Sequence, residues 1–298
     1  MFIDNNEITV SGKYFKIVHF NEEWDIDVND PESIVSKIIS AGINADIFSF
    51  QQRLPESKPK FKYHMDWDNI AALPLTTYDN WFKNVLHQNA RNKIRIAQKK
   101  GVVIKIFEFN DDTLRQIMGI YHDNPIRQGI PDTHYNWDFE TAKKDNATFL
   151  DRATFIGAYY KDEMIGYIKI VPTDRYVRTM GILGKISHRD KAPMNLLMAK
   201  AVEICTENKV PYLTYAKFDY GKVGSTTLQN FKLYNGFESI VLPRYYIPLN
   251  KWGELVINLK LYKGLKQLLP KQVVRFLLYL RSKWYEKKYA EYTNKSDS

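Results

Sequence analysis

Residues 153–187 read ATFIGAYY, KDE, MIGYIKIVP, TD and RYVRTMGILGKIS, three strand-like runs separated by short polar turns. The first two form a hairpin. A helical run that opens on Pro193, PMNLLMAKAVEICTEN, comes next, and the strand-like VPYLTYAKF follows it. Strands joined by tight turns pair antiparallel. A strand–helix–strand unit brings two strands side by side in parallel, with the helix packed on the sheet. The spacing therefore predicts a mixed sheet. In it the strand near Arg175 to Ile186 and the strand Pro211 to Phe218 are parallel neighbours, and the Pro193 to Asn208 helix crosses between them.

The flanking sequence extends this pattern. VVIKIFEF alternates apolar and polar residues as a strand does. Asp111 or Asp112 can cap a helix through Asn124, with Leu114, Ile117, Met118 and Tyr121 on one face. A loop with Pro125, Gly129 and Pro131 leads to a helical run near Phe139 to Leu150. Beyond the central unit, STTLQNFKLYN reads as a short helix closed by Gly236, and FESIVLPRYYIPL as the last strand or strands. Upstream, strand-like runs lie at Tyr14 to Phe20, Ala45 to Gln51 and Asn69 to Pro74, and a helical run at Tyr78 to Lys100. The polar RLPESKPKFKYHMDWD reads as a long loop. Three domains are expected: 1–101, 102–250 and a helical, amphipathic 251–298. In the last, Val273, Phe276, Leu277, Leu280 and Trp284 form one stripe.

Charge separates the last section from the rest. From Lys251 onward there are 11 Lys+Arg against 4 Asp+Glu; the residues before it carry 32 against 30. A basic tail on a near-neutral body points to an anionic surface such as a membrane rather than to nucleic acid. One cysteine, Cys205, allows no internal disulfide and suits a reducing compartment. It lies among apolar helix neighbours and reads as a small buried hydrophobe. The start, MFIDNNEITVSGKYF, lacks the basic and apolar pattern of a secretory signal. The most apolar stretch, Val273 to Leu280, is far short of a membrane span. The expected location is cytoplasmic; the tail's stripe reads slightly more readily as packed on the body, its lysines solvated, than as a peripheral contact at the inner face of the membrane. The six histidines show no metal-ligand spacing, so no metal is expected.

The order β-α-α-β-β-β-α-β-α-β over 102–249 resembles the GNAT acyltransferase fold, and local segments resemble its FemAB-like branch. ARNKIRIAQKKGVVIKI is similar to the basic helix and strand that join the two halves of FemAB-like proteins. HRDKAPMNLLMAKAVEICTENKVPYLTY is similar to their donor-side helix and strand, and LQNFKLYNGFE to their closing helix with its Phe-Lys pair. The resemblance covers roughly 45–250. It implies an α/β fold of two GNAT-like halves, the first shortened, each a mixed sheet flanked by helices, with the amphipathic tail added. It also implies transfer of an acyl group from an activated donor to an amine, the acceptor being a cell-wall or polysaccharide precursor, sugar-linked or lipid-linked. Acyl-CoA and aminoacyl-tRNA both stand as donors. A degenerate GNAT scaffold acting only as a binding module is a third reading. The pyrophosphate loop departs from the GNAT pattern: Arg189-Asp190-Lys191-Ala192-Pro193-Met194 lacks both glycines, and Pro193 removes one backbone donor.

Within that frame the expected donor site is the turn before the Pro193 helix, with Arg189, Asp190, Lys191, Ala192, Met194 and Asn195. A helix N-terminus offers free N–H groups to phosphate, and Arg189 and Lys191 add positive charge. Lys232, the lysine of the Phe-Lys pair, is the expected electrostatic catalyst, and Tyr234 an alternative proton donor to the leaving group. The polar loop Asn124 to Trp137 is expected to face the acceptor. There Arg127 and Gln128 would bind an anionic or sugar acceptor, and His134 would bind it or act as base. Arg91, Arg95 and Lys99 share one helix face, which reads more readily as a solvated basic surface than as a phosphate site.

Overall fold

The structure is a computed structural model that describes residues 1–127, 129–219, 227–263, 276, 279–281, 283 and 284. The chain opens with β1 (Phe2–Ile3), β2 (Asn6–Ser11), β3 (Ile17–Phe20), α1 (Pro31–Ser40), β4 (Ile47–Gln51) and β5 (His64–Pro74). Next come α2 (Tyr78–Asn80), a π-helical turn Trp81–Val85, α3 (Gln88–Lys99) and β6 (Val103–Phe107). The middle of the chain holds α4 (Asp111–Tyr121), a small hairpin of β7 (Ile126–Arg127) and β8 (Ile130–Pro131), then α5 (Phe139–Asn146), β9 (Thr154–Tyr160), β10 (Glu163–Pro172) and β11 (Val177–Gly184). Last come α6 (Pro193–Glu207), β12 (Tyr212–Thr214), α7 (Thr227–Tyr234), β13 (Glu238–Pro248) and α8 (Lys251–Asn258).

Two compact units result, Met1–Ile70 with Ile240–Pro270, and Ala71–Ser239 with Lys271–Ser298. This division falls within β5 and β13, not at the boundaries of 101 and 250 expected from the sequence. The reason is packing. Trp81, Leu86, Ala90, Ile94 and Ala97, expected in the first section, belong to the core of the second unit, while Tyr245 and Ile247 of β13 belong to that of the first.

In the first unit the strand order is β1-β2-β3-β4-β13-β5. β3 and β4 are parallel, as the intervening α1 requires; β4 and β13 are antiparallel. Asp30 caps α1 by accepting from Ser33 N, and Pro31 opens the helix. Its Ile38 packs with Phe20, Phe48, Phe50 and Tyr245. Arg244 is enclosed between Glu23 and Asp68, which offset the cost of burying its charge and hold its pKa above the ordinary arginine value despite burial.

In the second unit the order is β5-β12-β11-β10-β9-β6. β9, β10 and β11 form the antiparallel meander expected from the sequence, and β11 and β12 are parallel. One face carries α3 and α6, whose Ile94, Leu197, Val202 and Cys205 pack on Ile156 and Ile168. The other carries α4 and α5, packed on Met164 and Tyr167. The register of β9 against β10 shifts between Met164 and Gly166, so Ile165 joins the same core as Ile168 despite the odd spacing. Among the described residues no helix is long and apolar enough to cross a membrane.

Candidate donor and acceptor sites

β11 and β12 stay together for two residue pairs, Val177–Leu213 and Arg178–Thr214, and then part. Beyond that point the β12 segment bonds to β5 on its other side, Tyr215 N donating to Ala71 O at 2.8 Å. β11 remains on β10. Its register shifts by one residue at Met180, a bulge that bends the strand away. A cavity of about 510 Å³ opens where they separate. Ile182 to Ile186 form one wall, Tyr215 and α7 another, and the first turn of α6 the end. Gly184 lets that turn approach: a Cβ there would stand 2.7 Å from Met194 Sδ.

The end wall gathers free backbone N–H groups and cationic side chains. Ala192 has a left-handed backbone, φ 51°, and Pro193 is the first helical residue, with no side-chain cap. The N–H groups of Met194 and Asn195 therefore have no acceptor within the helix. The Asn195 side chain is 6% exposed, lines the cavity and makes no side-chain hydrogen bond within the described residues. Arg189 and Lys93 line the same end, neither with an ion-pair partner among the described residues; Lys185, also in the wall, is paired with Glu163. Asp190 and Lys191 are turned to other work. The Asp190 carboxyl is held down to about 2, first by the hydrogen bond from Lys100 and then by Lys191. Lys191 Nζ also sits 4.8 Å from the centre of the Tyr160 ring. Of the expected donor residues, Arg189, Ala192, Met194 and Asn195 line the cavity and Asp190 and Lys191 do not.

On the opposite wall, Tyr234 lines the cavity and its ring stacks on His87, centroids 4.6 Å apart. Lys232 is fully buried, donates to the Lys217 carbonyl, and lies 4.5 Å from the centre of the Tyr215 ring. Burial lowers its pKa to about 8. It is thus behind Tyr215 rather than in the wall itself. No carboxylate side chain is among the described residues that line the cavity. Cys205, on the buried face of α6, has its thiol pushed up to about 12 by burial and does not line the cavity.

The expected acceptor residues divide. Gln128 lies outside the described residues. Arg127 lines the cavity, but its guanidinium is engaged with the Asp132 carboxylate, with the Gly184 carbonyl at 2.7 Å and with the Ile120 carbonyl at 2.7 Å. It ties the loop to the end of β11. Asp132 also accepts from His134, at 3.0 Å from its backbone N–H and 2.8 Å from ring Nδ1. The His134 ring stacks on Tyr121 at 4.8 Å and meets Trp137 edge-on. With Nδ1 directed at Asp132, Nε2 is the nitrogen left to accept a proton, and it has no partner among the described residues. Burial works to raise the Asp132 pKa, but the bonds from His134 and Arg127 outweigh it and hold the carboxyl below the ordinary value.

Two organising carboxylates were missed from sequence. Besides Asp132, Asp123 accepts from the backbone of Ile186 at 2.6 Å and of Ser187 at 3.2 Å, fixing the turn after β11. Asp132 belongs to the polar loop singled out for its arginine and histidine, and Asp123 directly precedes that loop. An aspartate beside a turn is too common to mark either. Among the described residues no group of three or more His, Cys, Asp or Glu could hold a metal ion.

No family model matches the chain, and no curated protein matches it. Solved structures do. FemX aligns with a TM-score of 0.60 at 10% identity, over 85% of this chain and 86% of its own. The C-terminal domain of a protein described as a lysylphosphatidylglycerol synthetase from Agrobacterium fabrum gives 0.56 at 11% identity, over 85% and 84%. L-PGS from Bacillus licheniformis gives 0.53 at 12% identity, over 86% of each chain. At these identities the likeness speaks for architecture: the chain has a GNAT-type α/β fold and resembles the FemAB-like branch represented by FemX.

Proposed function

We propose that the chain is a GNAT-type transferase that moves an acyl group from acyl-CoA to an amine acceptor. The observation that carries this reading is the opening between β11 and β12 beneath the first turn of α6. A splayed parallel pair leaves backbone groups of β11 free to bond an extended donor arm, while the α6 terminus, Arg189 and Lys93 suit its phosphates. The walls between are largely apolar and lack a carboxylate among the described residues. A cationic aminoacyl group would find no counter-ion there, whereas a neutral acyl group needs none.

In this reading the acceptor amine attacks the thioester carbonyl. A C–N bond forms, the C–S bond breaks, and the amine proton leaves to solvent; His134, the expected base, is not among the described residues that line the cavity. The departing thiolate takes a proton from the Tyr234 hydroxyl. Lys232, mostly charged at neutral pH and set behind Tyr215, adds a positive field on the side where negative charge develops. Arg127 positions the acceptor loop rather than gripping the acceptor. The acceptor is taken to be a sugar- or lipid-linked precursor; one structural relative bears an aminoacylated lipid in its name.

A second reading, aminoacyl-tRNA as donor, is favoured by one observation. Ala192 and Met194 stand where a pyrophosphate loop has glycines, and Pro193 removes one backbone donor that would face the ligand. Native mass spectrometry of freshly purified protein separates the two. A bound CoA species supports the first, a bound tRNA the second, and neither species would leave the binding-module reading standing.

A further inference from the structure

Helix α8 in the first unit is apolar on more of its circumference than it buries. Gly253, Val256 and Ile257 face the core. Trp252, Leu255 and Leu259, at i, i+3 and i+7, share a different flank and are 46%, 44% and 59% exposed. Tyr14, the most exposed of the large apolar and aromatic side chains at 81%, adjoins them: Trp252 Nε1 donates to the Tyr14 carbonyl at 3.3 Å. Lys13, Lys251 and Lys260 stand beside these residues, with Lys13 Nζ 5.6 Å from the centre of the Tyr14 ring. The exposed Glu254 lies on the opposite flank of the helix.

We infer that this surface, Tyr14 with Trp252, Leu255 and Leu259, docks on an anionic lipid bilayer. A core helix would turn such a stripe inward, and exposed apolar side chains on a soluble surface are ordinarily scattered rather than aligned. A tryptophan and a tyrosine beside lysines match the boundary between headgroups and acyl chains, where an aromatic ring has an apolar body in lipid and its polar edge in water. Charge selects the partner. The three lysines flank the stripe, and the sequence from Lys251 onward is the strongly basic part of the chain. Further along it Phe276, Tyr279, Leu280 and Trp284 are exposed too, with the basic Arg281 and Lys283 among them. A second protein surface would need matching acidic and apolar groups in register; an anionic bilayer offers both without register.

The test is flotation of the full chain with vesicles of phosphatidylcholine, with and without phosphatidylglycerol. The wild-type chain is expected to float with the anionic vesicles only. Trp252→Ser with Leu255→Ser should weaken this by about tenfold or more, and Lys251→Gln with Lys260→Gln by about fivefold per charge. These side chains are exposed, so circular dichroism and melting of both variants should match the wild type. Three results would overturn the inference. One is absence of flotation on anionic vesicles. Another is flotation unchanged in the Trp252/Leu255 variant, which would assign membrane contact to the remaining tail alone. The third is a concentration-dependent dimer that the same variant abolishes without any vesicle binding, which would make the surface a contact between copies.

Discussion

Lys232 Nζ lies 4.5 Å from the centre of the Tyr215 ring, placing a buried ammonium directly behind a wall of the cavity. Burial depresses its pKa from 10.5 to about 8. The unfolded chain holds that proton up to the ordinary lysine value, so between pH 8 and 10.5 unfolding takes up a proton and stability rises with pH. The gain is on the order of 3 kcal/mol across that window. Lys232→Met should flatten this rise, read from urea unfolding at a series of pH values. Identical profiles in both proteins would show that the amine is not desolvated. In an acyl-transfer assay the same substitution should lower kcat more than donor affinity.

Gly236 should not tolerate a side chain. Its φ is +87°, and a Cβ there would fall 2.3 Å from Val85 Cγ1. Left-handed strain and overpacking together predict that Gly236→Ala destabilises by about 2–4 kcal/mol. Denaturant unfolding checks this; a loss below about 0.5 kcal/mol would show that the turn rearranges freely.

Asp132 should be a hub of acid stability. Its folded pKa lies below 3.8, so its contribution is fully present above that value and disappears as pH falls through the lower folded value. Asp132→Asn leaves Arg127 without its partner and should cost roughly 3 kcal/mol at pH 7. It should also reduce the loss of stability on acidification below pH 3.8.

The second unit was legible in the sequence because its pattern is local. Alternation in 153–187, Pro193 at a helix start and Gly236 at a helix end each fix an element without knowledge of the rest. The first unit was read less fully. β2 and α1 were missed, although Asp30-Pro31 before Ile34, Val35 and Ile38 carries a start signal and an apolar stripe. β5 begins at His64, inside the stretch expected to be loop, because HMDWD owes its strand to neighbours rather than to composition. The helix expected at Tyr78 to Lys100 breaks at Leu86-His87, where His87 caps α3 through its own side chain. At the candidate site the cationic turn and Tyr234 could be placed from sequence. The engagement of Arg127 and Lys191 by nearby groups could not, since ion pairing depends on residues brought together by the fold.

The account turns on the claim that the opening between β11 and β12 holds an acyl donor with its phosphates at the α6 terminus. Calorimetric titration with acetyl-CoA, on the wild type and on Arg189→Ala with Lys93→Ala, tests it most directly. The account predicts one site per chain, with affinity that falls as salt is added and drops about tenfold or more in the double variant. Absence of binding to the wild type, or equal affinity for both proteins, would contradict it.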